Sequence, residues 1–130
     1  MFKINKESKL KNVPKILLDQ CPKKFSGYQY YDEPAIWASY ENIPVGLINY
    51  GIDDFYKNVI LWRIYNGYVI DFFKNKGVYT FMWNNLVDLA RDNSVKKIVS
   101  ATQIDNKPMI NLMKKLGRKP VSINYEYEVK

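Results

Sequence analysis

The chain has 130 residues, of which 47% are apolar and 15% aromatic, so it can bury a sizeable core and does not have the composition of a disordered protein. The absence of histidine excludes a histidine general base. The only cysteine, Cys21, excludes a disulfide within the chain, and one thiol without histidine argues against a zinc or copper site. A lone thiol is typical of a reducing compartment, and we therefore expect a cytoplasmic protein.

The net charge is +7, from twenty lysine and arginine residues against thirteen acidic ones. The basic residues are scattered, and the longest basic runs are pairs such as Lys96-Lys97. This pattern favours a solvated surface over a nucleic-acid interface, although it also suits an anionic small-molecule partner. No apolar run is long enough to cross a bilayer, and charges from Lys3 onward do not fit a signal peptide.

The first predicted elements are a short strand and a helix. Residues Met1–Asn5 read as a strand, and Asn12 is a suitable cap for a helix that reaches about Gln20 with Pro14 in its first turn. Residues 22–34 are predicted to form an irregular connection rich in aromatic side chains. These rings pack on the sheet edge in the simplest interpretation.

A hairpin and a long strand follow this connection. The predicted elements are Ala35–Tyr40, Val45–Gly51, a turn at 53–57, and a strand Val59–Asp71 that is interrupted at Asn66-Gly67. Asn-Gly favours either a tight hairpin turn or a bulge. A hairpin would pair Tyr65 with Tyr68 and leave little room for the turn at Lys74, so its position favours a bulge.

The turn after this strand has the composition of an anion site. The apolar run Tyr68–Phe73 ends the strand, and residues 74–77, Lys-Asn-Lys-Gly, lead directly into a helix. Apolar residues recur at helical spacing from Val78 to Ala90. A chain that leaves a strand through lysines and a glycine and then starts a helix directs free N–H groups at one point, which attracts phosphate. An ordinary strand-to-helix turn is the alternative.

Three further elements complete the prediction. Ile98–Thr102 reads as a buried strand. The next helix is capped by Asp105 or Asn106, has proline in its first turn, and ends at Gly117. Beyond it the apolar residues alternate with polar ones, which predicts a half-buried strand made by Ile123, Tyr125, Tyr127 and Val129.

Several of these segments, in this order, resemble the GNAT superfamily of acyl-CoA-dependent N-acyltransferases. The loop of that family reads Gln/Arg-x-x-Gly-x-Gly/Ala, and this chain has Lys74-x-x-Gly77-x-Tyr79. The later helix of the family opens on Asn and ends in a Leu-Gly-Phe-like turn, and here Asn106 precedes a Leu-Gly-Arg turn at 116–118. The hairpin from 35 to 48 is similar to the second and third strands of the family.

The resemblance covers residues 34–129 and implies an α+β fold for the whole chain, 1–130, as a single domain. The implied fold is a mixed, mostly antiparallel central sheet flanked by about three helices. A bulged central strand leads to the phosphate-binding loop in this arrangement.

The resemblance also implies acetyl-CoA as the cofactor. Backbone N–H groups between Asn75 and Thr80 would bind the pyrophosphate, and strand residues would lend main-chain groups to the pantetheine arm. Tyr79 stands where the family has Gly or Ala, so its ring would block the phosphate unless it turns away. The expected cofactor-binding residues are Val69, Ile70, Asp71, Lys74, Asn75, Lys76, Gly77, Val78, Tyr79, Thr80 and Asn106.

Catalytic residues are less well defined by the sequence. Attack of an amine on a thioester needs a base and an acid. The position at which the family often carries a tyrosine acid is Met113 here, and the central strand has no carboxylate before Asp71. The substitutes that the sequence offers are Tyr65, Tyr68 or Tyr125 as the acid, and Asp71, Glu126 or a water molecule as the base.

The favoured interpretation is an N-acetyltransferase that transfers an acetyl group from acetyl-CoA to a primary amine by direct attack. The alternative is a GNAT-shaped module that has lost its chemistry and binds a protein or nucleic-acid partner. The sequence does not define the acceptor amine, a membrane partner is not expected, and a homodimer stays open.

Overall fold

The computed structural model of the chain describes residues 1–21, 30–53 and 59–129. The described strands are β1 (Phe2–Glu7), β2 (Ala35–Tyr40), β3 (Ile43–Asp53), β4 (Leu61–Val69) and β5 (Lys97–Val99). The described helices are α1 (Lys15–Leu18), α2 (Val78–Asp92) and α3 (Lys107–Lys115), with 3-10 turns at Leu10–Asn12 and Asp71–Phe73. Residues 22–29 of the predicted aromatic connection and 54–58, which include most of the predicted 53–57 turn, lie outside the described residues.

The strands form one sheet in the order β1-β2-β3-β4-β5. The first four strands are antiparallel neighbours, and β5 is parallel to β4. The prediction of a mixed, mostly antiparallel sheet with three helices is therefore confirmed. The hairpin of β2 and β3 turns at Glu41 and Asn42, which both have positive φ.

A bulge interrupts β4, as predicted, and the strand does not fold back on itself. Ile64 pairs with Tyr50 and Asn66 pairs with Asn49, so Tyr65 is the extra residue. The bulge thus lies one residue before the Asn-Gly pair that signalled it. Its consequence is a change in the direction of β4 immediately before the predicted anion-binding turn.

Each face of the sheet is covered by a separate apolar cluster. The α2 face buries Val78, Met82, Leu86 and Ala90, which recur at helical spacing, against the strands. On the opposite face, the α1 face, the segment from Leu10 to Cys21 packs on the sheet. Burial on both faces explains why β3 is almost continuously buried along its length.

The predicted helix from Asn12 to Gln20 is wrong in its first half. The chain makes a 3-10 turn at Leu10–Asn12, and α1 begins only after Pro14, which is its N-cap. Val13 has φ −70° and ψ 147°, an extended conformation. The residue before a proline is sterically pushed out of the helical region, so Asn12 cannot cap a helix through Val13.

The predictions for the last part of the chain have mixed outcomes. The α3 helix starts as expected, because the side chain of Asn106 accepts a hydrogen bond from the Met109 N–H at 3.3 Å, and Gly117 follows its end with φ +78°. Strand β5 covers only Lys97–Val99 and is partly buried, so the longer buried strand is wrong. The predicted last strand is also wrong, since no strand forms there and its four apolar side chains are 75–91% exposed.

Candidate functional site

Strands β4 and β5 separate after a short contact. They pair only through Leu61, Trp62 and Arg63. Beyond the bulge β4 continues to Val69 with β3 as its one strand partner among the described residues. The outer edge of β4 from Ile64 to Val69 therefore presents main-chain groups to an opening, where an extended ligand can bind as an additional strand would.

The turn that follows β4 contains two residues with positive φ. Ile70 donates its N–H to the Val45 carbonyl at 2.9 Å, and the 3-10 turn then leads to Asn75 with φ +62° and Gly77 with φ +82°. Gly77 is the N-cap of α2. A β-carbon built on it would meet no heavy atom within 4 Å. The space beside this glycine, at the start of the helix, is therefore free of atoms from the described residues.

The N-terminus of α2 carries unused hydrogen-bond donors. The first bond of the helix runs from the Phe81 N–H to the Gly77 carbonyl at 3.0 Å. The N–H groups of Val78, Tyr79 and Thr80 have no backbone acceptor among the described residues. The fifteen-residue helix adds the positive end of its dipole, roughly half a charge, at this point. The three N–H donors and the positive end of the dipole together can bind a phosphate.

Two lysines flank this turn. The Lys74 ammonium lies 2.8 Å from the Asp71 carboxylate, whose hydrogen bond and charge raise the pKa of Lys74. The Lys76 ammonium lies 4.3 Å from the ring centroid of Phe72. Both lysines are exposed, so their ammonium groups add to the attraction for an anion at the rim.

The Tyr79 ring is turned away from the space in front of Gly77. It lies along β4, where a β-carbon on Gly67 would be 3.4 Å from Tyr79 Cε2, and its hydroxyl accepts a hydrogen bond from Arg118 at 3.1 Å. Arg118 also stacks 4.3 Å over the Trp83 ring and donates to the Ser100 hydroxyl. Tyr79 and Arg118 thereby link β4 to the segment after β5 on the α2 face of the opening.

A second group of side chains meets at the bulge on the α1 face. The Tyr65 ring stacks on the Tyr30 ring with centroids 4.0 Å apart and an interplanar angle of 8°. A β-carbon on Gly51 of the neighbouring strand would lie 2.6 Å from Glu33 Oε2 and 2.8 Å from the Tyr65 hydroxyl. The missing side chain at Gly51 therefore lets a carboxylate and a phenol approach the same point.

The surroundings of Tyr65 keep its hydroxyl protonated. Burial raises the pKa of Tyr65, and the negative charge of Glu33 raises it further, followed by the effects of Tyr30 and Asp53. The positive charge of Arg63 lowers the pKa of Tyr65, but its guanidinium is bound to the Asp53 carboxylate at 2.7 Å. At neutral pH the phenol can donate a proton, while a carboxylate such as that of Glu33 is a group that can accept one.

Hydrogen bonds hold this group in place. The fully buried side chain of Asn49 donates to the Pro34 carbonyl at 3.0 Å and accepts from the Asn66 amide at 2.9 Å. The Glu33 carbonyl accepts from the Leu10 N–H at 2.7 Å. The bulge and the segment that carries Glu33 are thus fixed to the same residue of β3, which positions the carboxylate relative to Tyr65.

The other sequence-derived catalytic candidates are not brought to this point. Tyr68 is half-buried in the α1-face cluster, and the Asp71 side chain is 88% exposed and paired with Lys74. Tyr125 is 91% exposed and Glu126 is also exposed. These placements disfavour Tyr68, Asp71 and Tyr125 as catalytic groups.

Glu33 was missed by the sequence analysis. No local motif marks it, because its proximity to Tyr65 depends on the register of three strands and on the bulge. Asn106, predicted to contact the cofactor, is exposed and acts as a helix cap in the structure. A side-chain contact to a ligand is compatible with that role.

The described ranges lack two further kinds of feature, a metal-ligand cluster and a membrane-spanning helix. They contain no cluster of potential metal ligands. None of their helices is long and apolar enough to span a membrane.

Comparison with known proteins gave one family and many similar folds. The model of the acetyltransferase (GNAT) family matches residues 3–117. No curated protein sequence matches the chain. The aminoglycoside acetyltransferase AAC(6')-Iy, solved with a CoA-containing bisubstrate analogue, superposes with a TM-score of 0.75 at 15% identity, over 100% of this chain and 99% of that one.

Two further solved structures have the same fold. A ribosomal-protein-alanine N-acetyltransferase from Brucella melitensis biovar Abortus 2308 gives a TM-score of 0.68 at 14% identity, with 100% of both chains covered. A putative acetyl transferase from Pyrococcus furiosus gives 0.73 at 19% identity, over 99% of this chain and 100% of that one. At these identities the likeness establishes the fold.

Proposed function

Because the chain belongs to the acetyltransferase (GNAT) family, we propose that it transfers the acetyl group of acetyl-CoA to a primary amine by direct attack. The observation that carries this proposal is the open outer edge of β4, which leads directly to the free N–H groups at the start of α2. Acetyl-CoA has an extended pantetheine arm that leads to a pyrophosphate. The arm would lie along the β4 edge, and the pyrophosphate would then reach the N–H groups of α2. The lone, buried Cys21 thiol supports a cytoplasmic location, which we also propose.

The residues around the opening fit the cofactor. The N–H groups of Val78, Tyr79 and Thr80 would hold the pyrophosphate, with Lys74 and Lys76 at the rim. The main chain through Val69 and Ile70 would bind the pantetheine arm, and Asn75, Gly77, Asp71 and Asn106 complete the proposed cofactor-binding set. Bound acetyl-CoA would supply the thioester carbonyl that the amine attacks.

The acceptor would bind on the α1 face, beside the bulge. The Glu33 carboxylate attracts the ammonium form of the amine and takes its proton, directly or through a water molecule. The nitrogen forms a bond to the acetyl carbon, and the carbon–sulfur bond breaks. The Tyr65 hydroxyl donates its proton to the departing sulfur, and the nitrogen then releases its second proton, which returns to the Tyr65 oxygen through water. The proton that Glu33 took from the ammonium group passes to solvent, so the products are an amide and a thiol and both side chains are restored.

Mass spectrometry of amine mixtures incubated with acetyl-CoA and the protein tests this function. We expect a gain of one acetyl group on at least one primary amine, and no gain on the matching tertiary amine, which has no proton to release. The Tyr65→Phe variant serves as a control that keeps the stacked ring. If the parent binds acetyl-CoA and acetylates no amine, the alternative of a binding module on this fold is correct.

A further inference from the structure

Arg118 carries a half-buried guanidinium group that has no carboxylate partner in the described part of the chain. It donates to the hydroxyls of Tyr79 and Ser100, and its Cζ lies 4.3 Å from the centroid of the Trp83 ring. A guanidinium has more N–H donors than these hydrogen bonds use. Taking a positive charge partly out of water is unfavourable unless an opposite charge compensates it. Arg118 is therefore a candidate site for an anionic ligand.

The guanidinium lies at the closed end of the opening between β4 and β5. These strands last pair through Arg63 and Val99, and Ser100, whose hydroxyl accepts from Arg118, is the next residue of the chain. The other hydroxyl partner, Tyr79, lies along β4 beyond the bulge. Arg118 consequently connects the two segments where they begin to separate, on the face that α2 covers.

The proposed acid and base lie at the same level of the sheet, on the opposite face. Continuing the parallel register by one residue brings Ser100 level with Ile64, which directly precedes the bulge residue Tyr65. The Tyr65 hydroxyl and the Glu33 carboxylate meet beside the bulge on the α1 face. A thioester carbonyl held at the bulge would face these two groups on one side of the sheet. The α2 side, where Arg118 lies, is then left for the rest of the acyl group.

We propose that Arg118 binds a carboxylate at the far end of the acyl group, so that the opening favours CoA thioesters of dicarboxylic acids, such as succinyl-CoA, over neutral acyl groups of the same shape. A planar guanidinium binds a carboxylate through two parallel hydrogen bonds, and Trp83 and Tyr79 already orient the one on Arg118. An acetyl group ends in a methyl group and makes no such contact. The inference rests on the proposed acyl transfer, because it requires the thioester to lie at the bulge.

The transfer of such an acyl group keeps the chemistry proposed for acetyl-CoA. The amine nitrogen forms a bond to the thioester carbon, the carbon–sulfur bond breaks, and the protons follow the same route through Glu33, Tyr65 and solvent. The distal carboxylate takes no part in these changes and stays bound to Arg118. The products are CoA and an amide that carries a free carboxylate.

Stable thioether analogues measure this preference without any reaction. The anionic analogue carries a 3-carboxypropyl group on the CoA sulfur, and the neutral analogue carries a 4-methylpentyl group of the same shape. Calorimetric titration of the parent protein should give at least about tenfold tighter binding of the anionic analogue, which is the usual effect of a charge-assisted hydrogen-bonded pair. A smaller ratio of the two affinities overturns the proposal.

Substitution of Arg118 assigns the preference to this residue. Arg118→Gln should bind the two analogues equally, whereas Arg118→Lys should keep part of the preference, because an ammonium group supplies charge without the planar fork. Arg91→Gln is the matched control. It removes the same charge from a side chain that is 71% exposed and lies 3.0 Å from the Asp88 carboxylate, and it should leave the ratio of affinities at the parent value.

The ratio of affinities separates charge recognition from structural support. A variant in which the site is only loosened loses both analogues alike and keeps the ratio. An unchanged ratio in Arg118→Gln therefore overturns the proposal. If this variant does not fold, the parent and Arg118→Lys decide, since an equal ratio in those two proteins contradicts bidentate binding of the carboxylate.

Mass spectrometry of the reaction with succinyl-CoA separates this proposal from the proposed function. We expect a succinyl group on the amine that also accepts an acetyl group, and acetyl transfer without succinyl transfer overturns the proposal. If the parent transfers acetyl groups but binds both analogues equally, acetyl transfer stands and the role of Arg118 is wrong. If the anionic analogue is preferred through Arg118 and neither acyl group is transferred, the carboxylate site stands and the proposed function is wrong.

Discussion

Replacing Glu33 by glutamine is expected to lower kcat/KM for acetyl transfer by about a hundredfold or more, which is the usual effect of removing a positioned base. Glutamine keeps the size of the side chain beside Gly51 and Tyr65 but neither attracts an ammonium group nor accepts its proton. Acetyl-CoA is proposed to bind at the other side of the opening, so its dissociation constant should stay the same. Steady-state kinetics and calorimetric titration with acetyl-CoA measure the two quantities separately.

Asp32 provides a matched control for this substitution. It is the adjacent residue on the same segment, its carboxylate lies 3.2 Å from the Lys11 ammonium, and its side chain is 73% exposed. Asp32→Asn makes the same change in net charge on the surface and should leave kcat/KM nearly unchanged. Equal effects of the two substitutions would show that Glu33 contributes only its charge to the overall electrostatic field of the protein. The proposed role of Glu33 as the base would then be wrong.

Gly77→Ala is expected to weaken CoA binding by at least about tenfold, since it disturbs several charge-assisted hydrogen bonds at once. The methyl group would enter space at the start of α2 in which no described atom lies within 4 Å. It also opposes the positive φ that aims the N–H groups of Val78 to Thr80. Calorimetric titration with CoA gives the affinity, and thermal unfolding gives the stability of the variant.

Gly117→Ala is the control that separates the loss of stability in Gly77→Ala from its loss of CoA affinity. Gly117 has φ +78°, close to the φ of +82° at Gly77, and its added β-carbon also meets nothing within 4 Å. Both variants should lose about 1–2 kcal/mol of stability, the cost of a left-handed conformation for a residue with a β-carbon. Only Gly77→Ala should lose CoA affinity. If both variants bind CoA as the parent does, the phosphates do not bind at this turn.

The turn that precedes α2 and the two long helices were predictable because their signals are local. The spacing of apolar residues from Val78 to Ala90 depends on one helical period, and the Asn106 cap and the Gly117 terminus each depend on a few consecutive residues. The bulge in β4 was also signalled locally by Asn66-Gly67. Its position was one residue off, because the register with β3 decides which residue is left unpaired.

The group of side chains on the proposed acceptor side could not be predicted from the sequence. Glu33, Gly51 and Tyr65 belong to three segments that meet only when the strands are in register, and nothing in their local sequence distinguishes them from surface or core residues. The alternation at 121–129 predicted a half-buried strand that does not form, because alternation does not specify which element would cover the apolar side, and those side chains are exposed in the structure.

Thermal unfolding of the parent protein with and without acetyl-CoA tests the central claim most directly. A ligand at a hundred times its dissociation constant stabilises the folded state by about 2.7 kcal/mol. For a chain of this size the melting temperature should rise by roughly 5–15 °C. An unchanged melting temperature at millimolar acetyl-CoA would contradict the claim that the opening beside β4 and the start of α2 form a cofactor site.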